Sequence, residues 1–426
     1  MMAGPADMRK ILFVAFRFPP EAGSSGYLRA LKFCRNLPRF GWQPVVLAAN
    51  PRAYERRDDS QLAAVPSDME VLRPFALDAQ RHLSIAGRYP KWFALPDRWV
   101  SWCLGAVPAG LRAIRREKID AILTTFPIAS AVLIGLILHR LTGKPWILDL
   151  RDSMTEDNYP PDPQTRSVYR WIERQAVRKS SLILFTAPSA LRMYRQRYPD
   201  LAPDTCVLIP NGYDEEDFKN LSMDSASSND PQRCIRLLHA GALYPDERNP
   251  QPFFKAVSQL KQRGTITSAT LRVDLRASGF ENAYSQTLRE LDIADIVHLL
   301  PALPYSLALQ DAAHADALLL FQAANCDHQI PAKAYEYLRL RKPILALTTQ
   351  AGDTGATLKQ AGGSSIVDLA DSNAIAEALP RFLDLVRRGE HPLPDESVAA
   401  RYSRTEQARQ LAALLSKLLN DKRPSL

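Results

Sequence analysis

Short apolar runs alternate with longer segments in which apolar residues recur at helical spacing along almost the whole chain. The first run, 11–15, is followed by a loop and then by Ala30, Phe33 and Leu37, which fall on one face of a helix. Further runs predict strands at 44–48, 121–124, 145–149, 182–186, 206–209, 235–239, 271–275, 297–300, 317–321, 343–347 and 365–367. Because strand and helix alternate throughout, the pattern predicts an α/β fold with parallel sheets covered by helices on both faces.

The alternation is interrupted by a polar stretch at 221–231 that is rich in serine, aspartate and asparagine. A length of 426 residues exceeds what one hydrophobic core normally serves, so two domains are expected. We predict a first Rossmann-like domain over 8–210, a linker over 211–232 and a second Rossmann-like domain over 233–402. An amphipathic helix is predicted over 403–420.

Composition narrows the class of protein without defining a function. With 46% hydrophobic and 23% charged residues, the chain has the make-up of an ordinary globular protein. Its five cysteines are widely spaced and form no Cys-x-x-Cys pair, which indicates neither a disulfide framework nor a zinc site. The first residues lack the pattern of a signal peptide, and the longest apolar run, 128–138, is too short to span a bilayer. A cytoplasmic location is therefore expected.

The net charge of +8 raises the question of an anionic partner. No long basic run or RNA-binding motif accompanies it, so nucleic acid is not expected, whereas a phosphorylated substrate or anionic lipid would fit. The segment 81–116 interleaves arginines with Trp92, Trp99 and Trp102. This mixture suits peripheral contact with the inner face of the cytoplasmic membrane, although core tryptophans and solvated arginines would explain it as well.

The candidate chemistry is concentrated in the stretch 325–347. Pro331 can open a helix there, which leaves the amides from Ala332 onward at the positive end of the helix dipole, a favourable place for a phosphate. Lys333 and Glu336 share one face of that helix, so the amine can meet phosphate oxygens while the carboxylate accepts sugar hydroxyls. The alternative is a solvated surface pair that contributes little.

Two loops at the ends of predicted strands add further candidates. Gly23 and Gly26 follow the first strand, where backbone amides could approach a phosphate or sugar closely, although a tight turn explains them as well. Arg151 and Asp152 come directly after the strand 145–149, at the carboxyl end where doubly wound sheets bind ligands. A surface ion pair is the alternative for these two residues.

Taken together, these motifs resemble the GT-B glycosyltransferases of family four, in particular members that build bacterial polysaccharides. The matching elements are the Pro-Pro-Glu-Ala-Gly loop ending at Gly23, the Asp-Leu-Arg-Asp run ending at Asp152, the Pro-Asn-Gly-Tyr-Asp turn at 210–214, and the helix of Lys333 and Glu336 before a Lys-Pro-Ile strand. The resemblance covers almost the whole chain. It implies two doubly wound domains that face each other across a cleft, with the C-terminal helix returning to the first domain.

The resemblance also implies a division of roles, in which the second domain binds a nucleotide-sugar donor and the first binds the acceptor. Glu336 would hold the ribose of the donor, and Gly241, Asp327, His328 and Ala332 would also lie against the donor.

In the first domain, Gly23 and Gly26 would lie beside the donor phosphates. Arg151 and Asp152 would line the acceptor cleft, and Asp152 is in addition a catalytic candidate.

Arg248 and Lys333 are the candidates to neutralise the departing diphosphate, a task that a metal ion would otherwise perform. The chain contains no Asp-x-Asp pair, so no metal site is expected. No cofactor is expected either, because the nucleotide sugar is a co-substrate. In the resembled family the sugar is transferred with retention of configuration, and the leaving phosphate helps to deprotonate the acceptor hydroxyl.

Three positions depart from the family pattern. His328 stands where the family has the first of two paired glutamates, Ala242 where many members have arginine, and Arg341 where many have glycine. The first two bear on sugar identity and catalytic competence. The third would cost about 1 kcal/mol if that residue has to be left-handed.

The expected function is that of a retaining, metal-independent glycosyltransferase. It would move a sugar from a nucleotide-diphosphate sugar to a glycan or lipid-linked acceptor in cell-surface polysaccharide biosynthesis. Two alternatives stay open, a sugar-nucleotide epimerase of the same fold and a non-catalytic glycosyltransferase-like scaffold in a polysaccharide assembly complex.

Overall fold

The computed structural model describes residues 8–22, 26–84, 88–219, 221–222 and 233–420. Within it the chain divides into two units that each have their own sheet and core. The first unit runs to Pro210 and takes up the chain again from Arg404, and the second unit is Asn211–Ser403.

The first unit is built on a seven-stranded sheet in which all neighbouring strands are parallel. Its strands are β1 (Arg9–Val14), β2 (Trp42–Leu47), β3 (Val71–Leu72), β4 (Ala121–Thr125), β5 (Trp146–Leu150), β6 (Leu182–Phe185) and β7 (Cys206–Leu208). Their order, β3-β2-β1-β4-β5-β6-β7, reverses direction between β1 and β4. A reversal of this kind opens a crevice at the carboxyl ends of the strands, where doubly wound sheets bind ligands.

The central strands carry apolar residues on both faces of the sheet, and helices cover both faces. They are α1 (Tyr27–Asn36), α2 (Ala79–His82), α3 (Trp102–Arg116), α4 (Ala129–Thr142), α5 (Pro163–Lys179) and α6 (Pro188–Arg197). Helix α4 lies so close to the sheet that a Cβ at Gly135 would be 2.2 Å from the Cγ2 of Thr124. Glycine at this position therefore sets the depth at which α4 packs.

The second unit repeats the plan with six parallel strands. They are β8 (Ile235–Ala240), β9 (Leu271–Arg276), β10 (Val297–Leu300), β11 (Ala317–Phe321), β12 (Ile344–Leu347) and β13 (Ser364–Val367). The order β10-β9-β8-β11-β12-β13 places the reversal between β8 and β11. A ligand site is therefore expected beside the residues that follow these two strands.

The helices of the second unit again lie on both faces of the sheet. They are α7 (Gln251–Gln262), α8 (Glu281–Glu290), α9 (Tyr305–His314), α10 (Ala332–Leu340), α11 (Asp353–Ala361), α12 (Ser372–Arg387) and α13 (Glu396–Ala400). The last helix, α14 (Arg404–Asn420), belongs to the first unit, where Leu411 and Leu415 are buried in the same cluster as α1. No helix in the described part of the chain has the length and hydropathy needed to cross a membrane.

The observed strands and helices confirm the predicted α/β class with parallel sheets and a returning C-terminal helix. Part of the segment interpreted as a linker is packed instead. Tyr213 forms a β-bridge with Ser403, and its buried ring meets Phe218 with centroids 5.4 Å apart. Residues 211–219 therefore belong to the second unit, and burial of these two aromatic rings contributes to holding them there. Residues 220 and 223–232 lie outside the described residues.

The tryptophans of the basic and aromatic segment divide between core and surface. Trp102 is fully buried, and Trp99 packs against Phe16 with ring centroids 4.6 Å apart. Trp92, in contrast, is 66% exposed and stacks on Phe93 at 3.8 Å between centroids. Trp102 and Trp99 are therefore core residues, whereas the ring of Trp92 is exposed at the surface and stacks on Phe93.

Arg341 ends α10 in the left-handed conformation, with φ 51° and ψ 46°. This conformation costs a non-glycine residue about 1–2 kcal/mol. The ion pair of Arg341 with Glu396 is exposed and stabilises the fold little. We expect Arg341→Gly to be more stable than Arg341→Ala by about 1 kcal/mol, because both variants lose the ion pair and only glycine relieves the strain. Urea unfolding of the two variants measures this difference, and equal midpoints would contradict the prediction.

Candidate functional site

A buried histidine marks the point where the order of the second sheet reverses. His239, the last residue but one of β8, places its Nδ1 2.9 Å from the carbonyl oxygen of Leu319 on β11. Because a carbonyl can only accept, Nδ1 carries the hydrogen and Nε2 is left as an acceptor. Within the described residues Nε2 has no hydrogen-bond partner. It lies 3.7 Å from where a Cβ on Gly241 would be, so it faces the loop that follows β8.

Two cations lie near this histidine. Burial is the main cause that lowers the pKa of His239 to about 4, and the positive charges of Arg248 and Lys333 lower it further against the Leu319 carbonyl. Arg248 donates to the carbonyl oxygen of Ala242 at 3.3 Å, while its buried Nε has no partner in the described ranges. The loop after β8 and the start of α10 thus bring a guanidinium and an amine close enough to His239 for their charges to act on it.

The lowered pKa of His239 makes the second unit sensitive to acid. Its pKa falls from 6.5 in the unfolded chain to about 4 in the folded one, so the unfolded state binds more protons between these values and stability decreases as the pH falls through them. Between pH 7 and pH 5 the free energy of unfolding therefore decreases by about 2 kcal/mol.

Urea unfolding at both pH values tests this dependence. We expect the wild-type chain to lose about 2 kcal/mol more than His239→Gln, because only the wild type has the titrating imidazole. The same pH dependence in both proteins would contradict the assignment.

The start of α10 holds the predicted amine and carboxylate as a direct pair. Pro331 precedes the helix with φ −64° and ψ 141°, and no side chain caps the first amides. The Nζ of Lys333 lies 2.9 Å from the Oε2 of Glu336, and the hydroxyl of Tyr305 donates to the Oε1 at 3.0 Å. The Glu336 side chain is only 11% exposed, so its carboxylate does not point into bulk solvent. Each oxygen of Glu336 already accepts one hydrogen bond, so a ligand hydroxyl either takes a remaining lone pair or replaces one of these two partners.

Tyr305 is a site residue that the sequence analysis missed. It begins α9 and reaches the carboxylate of a residue far along the chain, so no short motif could have indicated it. Desolvation of the phenol, followed by the negative charge of Glu336, raises the pKa of the Tyr305 hydroxyl. The hydroxyl therefore remains a hydrogen-bond donor at neutral pH. The ammonium of Lys333 also lies 5.7 Å from the centre of the Tyr305 ring.

Gln322, directly after β11, is the second buried polar group at the reversal point. Its Nε2 donates to the carbonyl oxygen of Cys326 at 2.9 Å, and its Oε1 has no partner among the described residues. Tyr337 of α10 accepts from the backbone N–H of Ala240 at 3.2 Å and so fixes the helix to the end of β8. A polar residue at the very end of an apolar strand, as at His239 and Gln322, is the sequence signal that could have revealed both.

The other donor-binding candidates are distributed around the same loops. Gly241 has φ 147°, a conformation that side-chain-bearing residues rarely adopt, and Ala332 is exposed at the first position of α10. The carboxylate of Asp327 accepts from the hydroxyl of Thr349 at 2.6 Å, which directs one of its oxygens to the chain beyond β12. His328 places its Nε2 3.5 Å from the side-chain nitrogen of Gln329.

In the first unit, Arg151 is held at the reversal point between β1 and β4. Its Nε donates to the carbonyl oxygen of Phe126 at 2.8 Å, and its Nη1 donates to the carbonyl oxygen of Gly26. Gly26 precedes α1 with φ −60°, so it does not need the conformational freedom of glycine there. Gly23 lies outside the described residues. Arg151 thus connects the end of β4 to the start of α1.

Asp152 keeps part of its surface in solvent next to Arg151. Desolvation raises the pKa of its carboxyl and the positive charge of Arg151 opposes this. The first aspartate of the same run, Asp149, has a different task, because it forms a buried ion pair of 2.9 Å with Arg29 of α1. In the described part of the chain, no three His, Cys, Asp or Glu side chains come together as a metal site would require.

Comparison with known proteins gives a family for the first unit. Residues 28–212 match the family model described as a glycosyl transferase 4-like domain. No curated protein matches the chain.

Solved structures match over nearly the full length. Sucrose-phosphate synthase from Thermosynechococcus elongatus is 14% identical, with a TM-score of 0.65 over 97% of this chain and 100% of that chain. HepE from Anabaena, in complex with UDP and glucose, is 15% identical, with a TM-score of 0.62 over 96% and 99%. A putative UDP-N-acetylglucosamine 2-epimerase from Listeria monocytogenes is 12% identical, with a TM-score of 0.57 over 98% of each chain.

At these identities the structures establish the fold, and the family model establishes the relationship of the first unit. Both agree with the resemblance carried by the motifs, which is thereby confirmed. The chain has the GT-B fold, and its residues 28–212 match a glycosyl transferase 4-like domain.

Proposed function

We propose that the protein is a glycosyltransferase that takes a sugar from a nucleotide-diphosphate sugar and passes it to a glycan or lipid-linked acceptor. The observation that carries the proposal is the group at the start of α10. There a buried carboxylate, Glu336, lies beside an amine, Lys333, at a helix N-terminus without a side-chain cap. A nucleoside diphosphate needs an acceptor for its ribose hydroxyls and donors for its phosphates, and these groups supply both.

Donor binding proceeds in this proposal by exchange of partners. The ribose hydroxyls bind the carboxylate of Glu336, which releases the ammonium of Lys333 from its 2.9 Å ion pair. Lys333 then turns to the phosphates, where the amides of the first turn of α10 also donate. Tyr305 keeps its hydrogen bond to Glu336 and holds the carboxylate in position.

Departure of the nucleoside diphosphate is assisted by charge. Arg248 and Lys333 neutralise the negative charge that grows on the leaving oxygen as the sugar bond breaks, so the step proceeds without a metal ion. The diphosphate in turn takes the proton of the acceptor hydroxyl, and the sugar is transferred with retention of configuration. His239 is neutral at physiological pH, and its free Nε2 accepts a hydrogen bond from a hydroxyl of the donor.

The acceptor binds in the first unit beside Arg151 and Asp152 in this proposal. Arg151 is fixed by its two carbonyl partners, so it presents Asp152 from a rigid loop. The Asp152 carboxylate accepts from the acceptor hydroxyl and orients it. The acceptor is part of a cell-surface polysaccharide or its lipid-linked precursor.

A thermal-shift screen followed by a transfer assay tests the proposal. Uridine, guanosine and thymidine diphosphates are screened first, because a bound nucleotide raises the melting temperature by mass action. The sugar nucleotides of the base that binds are then supplied with glycan acceptors, with and without EDTA. Transfer that persists in EDTA is expected, and failure of every nucleotide to shift the melting temperature would contradict the proposal.

A sugar-nucleotide epimerase is the second candidate, because one of the structures with this fold is described as a putative epimerase. An epimerase needs no acceptor, so conversion of the donor sugar to its epimer without added glycan would favour it. A third candidate, a non-catalytic scaffold, is suggested by His328, which stands where the family has a glutamate. Nucleotide binding without turnover would favour the scaffold.

We also propose peripheral contact with the inner face of the cytoplasmic membrane. The contact would be made by the exposed ring of Trp92, which stacks on the half-buried Phe93, beside Lys91. Vesicles that contain phosphatidylglycerol should sediment the wild-type chain and should sediment a Trp92→Ala, Lys91→Gln variant several-fold less. Equal sedimentation of both proteins, or sedimentation of neither, would contradict the proposed membrane contact.

A further inference from the structure

A cavity of about 820 Å³ lies in the first unit, between the loop after β5 and the helices α5 and α6. This volume falls in the range of small-molecule sites, roughly 300–1,000 Å³. Arg197 ends α6, which starts at the carboxyl end of β6, and Arg178 is the last residue but one of α5. The cavity therefore starts at residues 155–157, shortly after Asp152, and extends along the helices.

One wall of the cavity is a row of arginines on a single helix. Arg170, Arg174 and Arg178 follow each other at intervals of four residues along α5, so their guanidinium groups project from the same face. Like charges at this spacing repel each other and weaken the helix slightly. No ion pair with a carboxylate offsets this repulsion for the three side chains in the part of the chain that the structure describes. An arrangement that costs stability in the empty protein is explained if an anion binds there.

The opposite wall is held to α5 by Glu173, a buried carboxylate of that same helix. Glu173 accepts from Arg197 at 2.8 Å, from the hydroxyl of Thr155 at 2.9 Å and from the hydroxyls of Tyr194 and Tyr198 at 2.9 and 2.7 Å. This network neutralises the charge of Glu173 and fixes both α6 and the loop after β5. The arginine row on α5 is therefore opposed by a wall that does not need to reorganise when a ligand enters.

The cavity is also lined by carboxylates, among them Asp157 and Asp200. Both are exposed, and neither side chain has a hydrogen bond or ion pair within the described ranges. Guanidinium groups bind phosphate oxygens in a bidentate manner, whereas carboxylates accept from hydroxyls and repel phosphate. A cavity that carries both groups suits a ligand with an anionic part and a hydroxyl-bearing part.

We propose that this cavity binds a phosphorylated sugar, with the phosphate on Arg170, Arg174 and Arg178 and sugar hydroxyls on Asp157 and Asp200. The site uses other residues than the donor site of the second unit, and its edge at 155–157 follows the acceptor position at Asp152 along the chain. It does not depend on the proposed transferase activity. The ligand is either a free sugar phosphate or the phosphorylated sugar of a lipid carrier, since both present the same groups.

Calorimetry on the full chain tests the proposal with glucose 1-phosphate and inorganic phosphate as probes. The wild type should bind glucose 1-phosphate at least tenfold more tightly than inorganic phosphate, because only the sugar engages the two aspartates. The variant Arg170→Gln, Arg174→Gln, Arg178→Gln should lose at least tenfold in affinity for both probes.

A control variant, Arg112→Gln, Arg115→Gln, Lys118→Gln, removes the same charge from exposed positions of the first unit outside the cavity. It should bind both probes as the wild type does. In Asp157→Asn, Asp200→Asn the preference for glucose 1-phosphate over phosphate should fall towards one. Loss of affinity in the control as large as in the arginine variant would overturn the proposal, as would equal binding of both probes by the wild type.

Two further arms test a membrane surface as the ligand and separate this proposal from the proposed function. Phosphatidylglycerol vesicles that bind the chain through the arginine row, without any binding of glucose 1-phosphate, would replace the sugar phosphate by a membrane surface and overturn the proposal. Uridine diphosphate should bind the arginine variant with wild-type affinity, because its site is in the second unit. If the chain binds glucose 1-phosphate but no nucleotide, the sugar-phosphate site is supported and the proposed function is contradicted.

Discussion

Replacing Glu336 by alanine is expected to lower the affinity for uridine diphosphate by about tenfold to a hundredfold. In the proposed function this carboxylate accepts from the ribose hydroxyls, and a hydrogen bond to a charged group contributes about 1.5–3 kcal/mol. Transfer should fall at least as far, because a donor without its ribose contact is also held less well for reaction. Calorimetry with uridine diphosphate and initial transfer rates measure the two effects.

Pyrophosphate provides the internal control for this variant, because it has no ribose. In the free protein Lys333 is paired with Glu336 at 2.9 Å, so removal of the carboxylate frees the amine for phosphate. We therefore expect pyrophosphate to bind Glu336→Ala as well as the wild type or better. Glu290→Ala, which removes an exposed carboxylate of α8, should change the affinity for neither ligand. Loss of pyrophosphate binding together with uridine diphosphate would mean that the helix start has collapsed rather than lost one contact.

The double variant Arg248→Met, Lys333→Met should lower kcat by about a thousandfold or more. One donor aimed at a developing negative charge contributes about a hundredfold to a thousandfold in known enzymes, and the proposed mechanism assigns two cations to the same leaving group. Methionine keeps much of the length of both side chains and removes only the charge. Binding of uridine should be little changed, since the nucleoside carries no phosphate. Turnover under saturating donor measures the effect.

A second readout of this variant does not depend on activity. Because both cations lower the pKa of His239, their removal should raise that pKa from about 4 towards the ordinary histidine range. The variant Lys255→Met, Arg263→Met removes the same charge from exposed positions on and after α7 and should change neither kcat nor the pKa. An NMR titration of His239 that is identical in all three proteins would show that the cations do not lie where the structure places them.

The sheets of both units could be predicted from the sequence because their strands are buried on both faces. Such strands are continuous apolar runs, as in 317–321, and the helices between them keep a clear 3.6-residue period. The segment 211–219 was interpreted differently, because its polar composition conceals the contact between Tyr213 and Phe218. Trp102 and Trp92 lie ten positions apart in one basic segment, and only the packing around each decides which one is buried.

The site was predictable only where its residues are close in sequence. Lys333 and Glu336 lie on one helix, and their spacing alone brings them together. Tyr305 meets the same carboxylate only because α9 and α10 belong to one folded unit, and His239 is revealed only by the order of β8 and β11 in the sheet. Contacts between distant segments depend on strand order, which a local pattern does not contain.

A crystal structure of the chain with uridine diphosphate tests the central claim most directly. We predict that the ribose hydroxyls lie about 2.6–3.2 Å from the carboxylate oxygens of Glu336, and that the Nζ of Lys333 has left Glu336 for the phosphates. The phosphates should lie between Arg248 and the first amides of α10. A nucleotide bound elsewhere, with the pair of Lys333 and Glu336 still closed, would contradict the account.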